Sequence, residues 1–275
     1  MYIQRYSDSA IYDFSQNEWF ICDIIAFSFS TPFPTTELDQ SNRIVNGFEI
    51  NISEVPYHAM LWRESTVGLS YTCGAAIITS NVLLTAAHCV KSFESIPSSF
   101  RVIVGTSYRL SGGDSYKVSK LYVHENYSPL TLEHDIAVLV TSKKIKFGKN
   151  VDAISIAKPN INIPPGISAL VSGFGTTSYQ GSVPGTLLAA WVNIVSQQEC
   201  SQAYRQLAMI TSGMICASAN NPPRDACRGD SGGPLATDNT LIGIVSWGEG
   251  CANITYPGVY TRVSNYYSWI INKLG

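Results

Sequence analysis

Residues 225–234 read DACRGDSGGP, a lone serine set among glycines, with Asp225 and Asp230 on either side of an arginine. A serine hydroxyl is a poor nucleophile until a base takes its proton, and glycines beside Ser231 let the backbone turn sharply and present N–H groups to a substrate. Taken alone, GDSGG is equally a tight glycine-rich turn. The base in such chemistry is most often a histidine oriented by a carboxylate, and the chain has four histidines: His58, His88, His124 and His134. His88 closes the apolar run LLTAAHC, and His134 adjoins Asp135 at the start of IAVLV. An isolated aspartate opening such a strand is more often a turn cap.

Five separated motifs occur in the order TAAHC (85–89), DIAVL (135–139), GDSGGP (229–234), SWGEGC (246–251) and PGVYTRV (257–263). Together they resemble the trypsin-like serine proteases of the chymotrypsin fold, over residues 44–275. The resemblance implies that His88 is general base and then general acid, that Asp135 fixes its tautomer, and that Ser231 is the nucleophile that becomes acylated. The N–H groups of Gly229 and Ser231 would form the oxyanion hole, where one donor is worth about 3 kcal/mol of transition-state stabilisation. It also places Ser246 against Asp135, and Trp247 and Gly248 along extended substrate backbone. His58, His124 and His134 are then ordinary turn or surface histidines.

The resemblance separates the two aspartates of the opening stretch by role. Asp225 matches the residue at the base of the primary specificity pocket, walled by Gly248 and Gly258, where a carboxylate selects Arg or Lys. Ala226 stands where many trypsins have a serine, so Lys loses a hydroxyl partner and cleavage after Arg is expected to be preferred. Asp230 matches the carboxylate that receives a new N-terminal ammonium. RIVNG at 43–47 supports this, since cleavage after Arg43 would free the Ile44 amine. The uncut chain is expected to be a poorly active zymogen.

The implied disulfides join Cys73 to Cys89, Cys200 to Cys216 and Cys227 to Cys251; spacing alone leaves fifteen pairings of six cysteines open. Cys22 has no evident partner. There is no C-x-x-C pair or histidine pair at ligand spacing, and the loop at 105–118 offers only Asp114 where calcium-binding relatives supply several oxygens. No metal or cofactor is expected. Expected partners are protein or peptide substrates with basic residues, protein protease inhibitors, and an activating protease or the chain itself. The enzyme is expected to be a secreted monomer.

The elements that must position these residues read as strands. Short runs rich in Val, Ile, Tyr and Thr recur between turn signals: AAIITSNVLLTAA, FRVIVG, KVSKLYVH, DIAVLVT, SALVSGFG, AAWVNIV, LIGIVSWG and PGVYTRV. With the resemblance they imply an all-β fold of two packed antiparallel six-stranded barrels, joined near 157–166. A short helix is predicted around 197–207, and a C-terminal one in SNYYSWIINKLG with Ser264 or Asn265 as its cap. Charged residues make up 14% of the chain and the formal net charge is −2, which gives no case for nucleic-acid binding.

Residues 1–43 are read as a pre/pro segment, an atypical signal followed by an activation peptide. Its apolar run WFICDIIAFSF is about as long as a signal core but is interrupted by Asp23, and is too short to span a membrane. Three sequons, at Asn51, Asn126 and Asn253, are compatible with secretion.

Overall fold

The computed structural model describes Ile44 and residues 46–176 and 181–274. The pre/pro reading, Cys22 and Arg43 lie outside the described residues.

Six strands, β1 (His58–Ser65), β2 (Gly68–Ile77), β3 (Val82–Thr85), β4 (Phe100–Val104), β5 (Asp114–Val123) and β6 (Ala137–Thr141), close into an antiparallel barrel in the order β1-β2-β3-β6-β5-β4. Six more follow: β7 (Ser168–Gly173), β8 (Leu188–Val195), β9 (Met214–Asn220), β10 (Pro234–Thr237), β11 (Thr240–Trp247) and β12 (Gly258–Arg262). These also close, in the order β7-β8-β9-β12-β11-β10, through the pairing of β8 with β9 and of β10 with β7. The second barrel therefore repeats the strand order of the first, although no sequence repeat announces it. Closure leaves neither sheet a long open edge.

Alternation forms the clearest strands. In β4, FRVIV buries Phe100, Val102 and Val104 and leaves Arg101 and Ile103 half-covered. In β1 the first five residues, His58 to Trp62, are all buried, so HAMLWRES lacks the alternation expected of a half-exposed strand. Ser155–Ile156 already pairs with β11, in parallel, so the chain reaches the second barrel just ahead of the 157–166 stretch, which runs on without regular structure to β7.

Helix α1 (Gln197–Tyr204) starts at Ser196, whose hydroxyl accepts from Glu199 N–H while the Glu199 carboxylate returns to the Ser196 N–H. At the C-terminus a one-turn 3-10 segment, Val263–Tyr266, precedes α2 (Tyr267–Asn272). The expected caps are corrected here: the α2 cap position is Tyr266, with no side-chain cap bond, and Asn265 instead donates to the Ser212 carbonyl. The three disulfides are those the resemblance implied.

Candidate active site

The motif residues converge on loops at strand ends. His88 lies in the single 3-10 turn Ala87–Cys89 that follows β3, Asp135 lies two residues before the start of β6, and Ser231 lies in the loop leading into β10. The first two loops belong to one barrel and the third to the other.

Asp135 is fully buried and accepts the His88 ring Nδ1–H at 2.8 Å, the His88 main-chain N–H at 2.9 Å and the Ser246 hydroxyl at 2.6 Å. Thr261 Oγ1 donates to its main-chain carbonyl at 2.6 Å. A carboxylate oxygen accepting the Nδ1–H pins the histidine tautomer, leaving Nε2 to accept a proton. The His88 side chain is 27% exposed. It also lies near the disulfide sulfur of Cys89, and the Cys73–Cys89 bond braces the loop from below.

Ser231 sits in a run of turns that only glycine fits. Gly229 and Gly232 have φ of 97° and 78°, and a Cβ on Gly232 would collide with Thr85 Oγ1 and the Gly74 carbonyl. The Ser231 carbonyl is held by Gly74 N–H at 2.8 Å, and Gly232 N–H donates to Val245 at 2.8 Å. The two barrels are thus tied together at this residue. No side-chain hydrogen bond joins Ser231 to His88 among the described residues.

Asp230 is fully buried, with its carboxylate accepting Gly175 N–H at 2.7 Å and Cys227 N–H at 2.8 Å. Gly173 and Gly175 have no room for a Cβ because this carboxylate lies against them. Burial pushes its pKa up to about 6, and the two N–H donors work against that rise. Ile44 is fully buried within the second barrel's apolar cluster.

Asp225 is 4% exposed and accepts Ala226 N–H at 2.7 Å and the Tyr260 hydroxyl at 3.2 Å, both on Oδ1. Among the described residues Oδ2 accepts nothing. Burial pushes this carboxyl up to about 7. Gly258 packs directly on the carboxylate, and a Cβ on Gly248 would lie 3.8 Å from Gly258 Cα, so a side chain at either position would fill the slot between them.

Three residues to which the sequence motifs assigned no role shape the site. Tyr204 of α1 is fully buried, stacks edge-on against Trp247 at 4.9 Å, donates to the Pro257 carbonyl at 2.8 Å and accepts Glu249 N–H at 3.3 Å, joining both walls of the Asp225 slot. Tyr260 supplies the second donor to Asp225. Tyr71 of β2 donates to the Gly229 carbonyl at 2.7 Å. Tyr260 stands in the motif PGVYTRV, whereas Tyr71 and Tyr204 carried no signal in the sequence beyond their aromatic character.

The expectation for the other histidines needs correction. His58 is neither turn nor surface: it opens β1 at 1% exposure, bonded through Nδ1 to Ser172 Oγ at 3.0 Å, and burial takes its pKa down to about 3. His124 and His134 stack face to face at 4.7 Å, and Tyr266 meets both rings edge-on.

Two closed six-stranded barrels, with an Asp-held histidine and a glycine-flanked serine at loops from both, define a chymotrypsin-fold serine endopeptidase. The trypsin family model matches residues 44–270, and the chain belongs to that family. Trypsin beta of Drosophila erecta is 44% identical over 233 residues, covering 84% of this chain and 88% of that protein. The vitellin-degrading protease of Bombyx mori is 37% identical over 255 residues, covering 92% and 93%. Among solved structures, neuropsin, a serine protease expressed in the limbic system of mouse brain, matches with a TM-score of 0.74 at 33% identity, over 83% of this chain and 99% of that one. Among the described residues, no helix is long and apolar enough to cross a membrane.

Proposed function

We propose that the chain is a secreted protease made as a zymogen, comprising a pre/pro segment through Arg43 and a protease domain from Ile44, which cleaves after Arg in preference to Lys. Ser231 Oγ attacks the substrate carbonyl carbon while its proton passes to His88 Nε2. The carbonyl oxygen takes the displaced electron pair and is held by the N–H groups of Gly229 and Ser231. Collapse breaks the C–N bond, and His88 returns the proton to the leaving amine. Water then repeats the sequence on the acyl-enzyme, with Ser231 leaving. Asp135 stays ionised throughout and stabilises the imidazolium.

The specificity rests on one observation: Asp225 ends a glycine-walled slot with one carboxylate oxygen uncommitted among the described residues. A guanidinium can bridge both oxygens, using the fork that a single ammonium lacks. With Ala226 beside it, an ammonium lacks the hydroxyl that a serine at that position would supply to complete its bonds. Trp247, Leu130, Leu132, Leu207 and Met209 line an apolar recess beside the slot, suited to substrate residues on the acyl side. Activation is supported by the RIVNG sequence together with the buried Asp230, whose carboxylate meets only N–H donors among the described residues. The chain acts as a monomer, with an activating protease or itself cutting at Arg43 and protein inhibitors occupying the same cleft.

Matched peptide substrates differing only in Arg, Lys, Phe or Leu before the scissile bond test this on the Arg43-cleaved chain. The expected kcat/KM is about tenfold higher for Arg than Lys, the size of one lost hydrogen bond in a desolvated site. Equal values would overturn the Ala226 argument. Efficient cleavage after Phe or Leu would overturn the assignment of Asp225.

A further inference from the structure

Residues 227–230 form a tight turn closed by the Asp230 N–H bond to the Cys227 carbonyl at 3.0 Å. Gly229 occupies its third position with φ of 97°, the arrangement of a type II turn. The alternative type I turn keeps the same chain path but rotates the central peptide by half a revolution, replacing the inward Gly229 N–H with a carbonyl. Glycine tolerates both, so neighbours must choose. One is evident: Thr176 N–H donates to the Arg228 carbonyl at 2.7 Å and fixes the orientation of that central peptide.

The next peptide, between Gly229 and Asp230, lies between the two N–H groups assigned to the oxyanion hole, and its carbonyl takes the Tyr71 hydroxyl at 2.7 Å. Tyr71 reaches across from β2 of the first barrel. Gly74, three residues on in that strand, holds the Ser231 carbonyl at 2.8 Å. One strand therefore grips the turn at two points, 229 and 231, and sets the spacing of the donors between them.

The Tyr71 ring is itself held. It packs edge-on against Trp62 at 5.9 Å and Phe174 at 6.3 Å, and Phe174 in turn meets the buried ring of His58 at 5.7 Å. Burial and the nearby Asp230 charge keep the phenol far above its usual pKa, so it remains a donor at any working pH.

We infer that Tyr71 is a positioning residue for the oxyanion hole, its hydroxyl fixing the Gly229–Asp230 peptide so that both donors meet the developing oxyanion. The inference rests on the assignment of Ser231 and Gly229 above. Donor placement matters most when charge has formed on the substrate oxygen, so the hydroxyl should count in the transition state and little in ground-state binding.

The test compares the full chain with Tyr71→Phe, each cleaved at Arg43 and active-site titrated. The substitution keeps the ring and its aromatic contacts and removes one oxygen. Expected are a kcat about tenfold lower with KM within twofold, and a similar weakening of a peptide arginine aldehyde, which forms a tetrahedral adduct at the serine. Benzamidine, which needs only the Asp225 slot, should bind unchanged, and Tm should show the variant folded. Unchanged kcat and aldehyde affinity, or aldehyde and benzamidine weakened together, would each overturn the positioning role. A Ser231→Ala chain that kept its activity would instead overturn the assignment on which it rests.

Discussion

Asp135 grips His88 twice, taking its ring N–H on one carboxylate oxygen at 2.8 Å and its main-chain N–H on the other at 2.9 Å. The second bond fixes where the residue begins and the first fixes how its ring is turned, so neither χ angle of the histidine is free to wander. Ser246 adds a third donor from the opposite barrel.

Replacing Asp135 by Asn retains the shape but presents an NH₂ or a neutral oxygen to Nδ1, favouring the wrong tautomer. We expect kcat to fall by about four orders of magnitude, with Tm lowered only modestly. Ser231→Ala should bring turnover close to background in a folded chain. Steady-state kinetics on a titrated preparation decide both, and a Ser231→Ala chain with more than about a hundredth of the parent rate would contradict the nucleophile.

Arg43→Gln should block activation by trypsin-like enzymes, whereas the parent chain can process itself because Arg43 suits its own slot. N-terminal sequencing of the active form should read Ile44-Val45-Asn46-Gly47. An active form with another N-terminus would remove the proposed partner of Asp230.

Asp230 should make the stability of cut and uncut chains diverge with pH. In the uncut chain burial raises its pKa to about 6, so the folded state holds a proton that the unfolded state has already lost. That contribution is present at acid pH and is lost as pH rises from about 4 to about 6. A buried Ile44 ammonium would reverse the effect after cleavage, stabilising the charged carboxylate until the amine itself loses its proton at alkaline pH. Asp225 titrates in both forms and cancels in the comparison. Urea midpoints of Ser231→Ala chains, cut and uncut, should separate between pH 4 and 7 by on the order of 2 kcal/mol; parallel profiles would count against the ion pair.

Asp225 should likewise make cation binding depend on pH. Its empty-slot pKa of about 7 means that part of the population is protonated at neutrality, and a bound amidinium displaces that proton. Benzamidine should tighten roughly tenfold per pH unit below that value and level off above it, with proton release seen by calorimetry in buffers of different ionisation enthalpy. Flat affinity between pH 5 and 8 would mean that the carboxylate is already ionised in the empty slot.

Much of the site was legible in the sequence because its chemistry depends on side-chain identity. His88, Asp135 and Ser231 stand in short motifs whose order matches the family, and the glycines at 229, 232 and 258 are required by backbone conformation or by space. The cysteine pairing came with the family likeness, since spacing alone leaves it open. Strands such as FRVIV and AVLVT showed in the sequence as β-branched runs. Strand β9, MICASAN, did not, because its small residues carry little strand preference and owe their place to the pairing of both neighbours.

What only the tertiary structure decided are contacts made to main-chain atoms far away in the chain. Tyr71 and Gly229 are 158 residues apart, and the tyrosine's partner is a carbonyl that any residue would offer, so no pattern of residue types encodes the pair. Tyr204 is the same case, bracing both walls of the Asp225 slot from a helix that no motif touches. His58 looked like a turn histidine because its sequence neighbours are mixed, yet it is walled in by Ser172 and Phe174 from the second barrel. Burial depends on what packs against a residue, and here that partner comes from the other half of the chain.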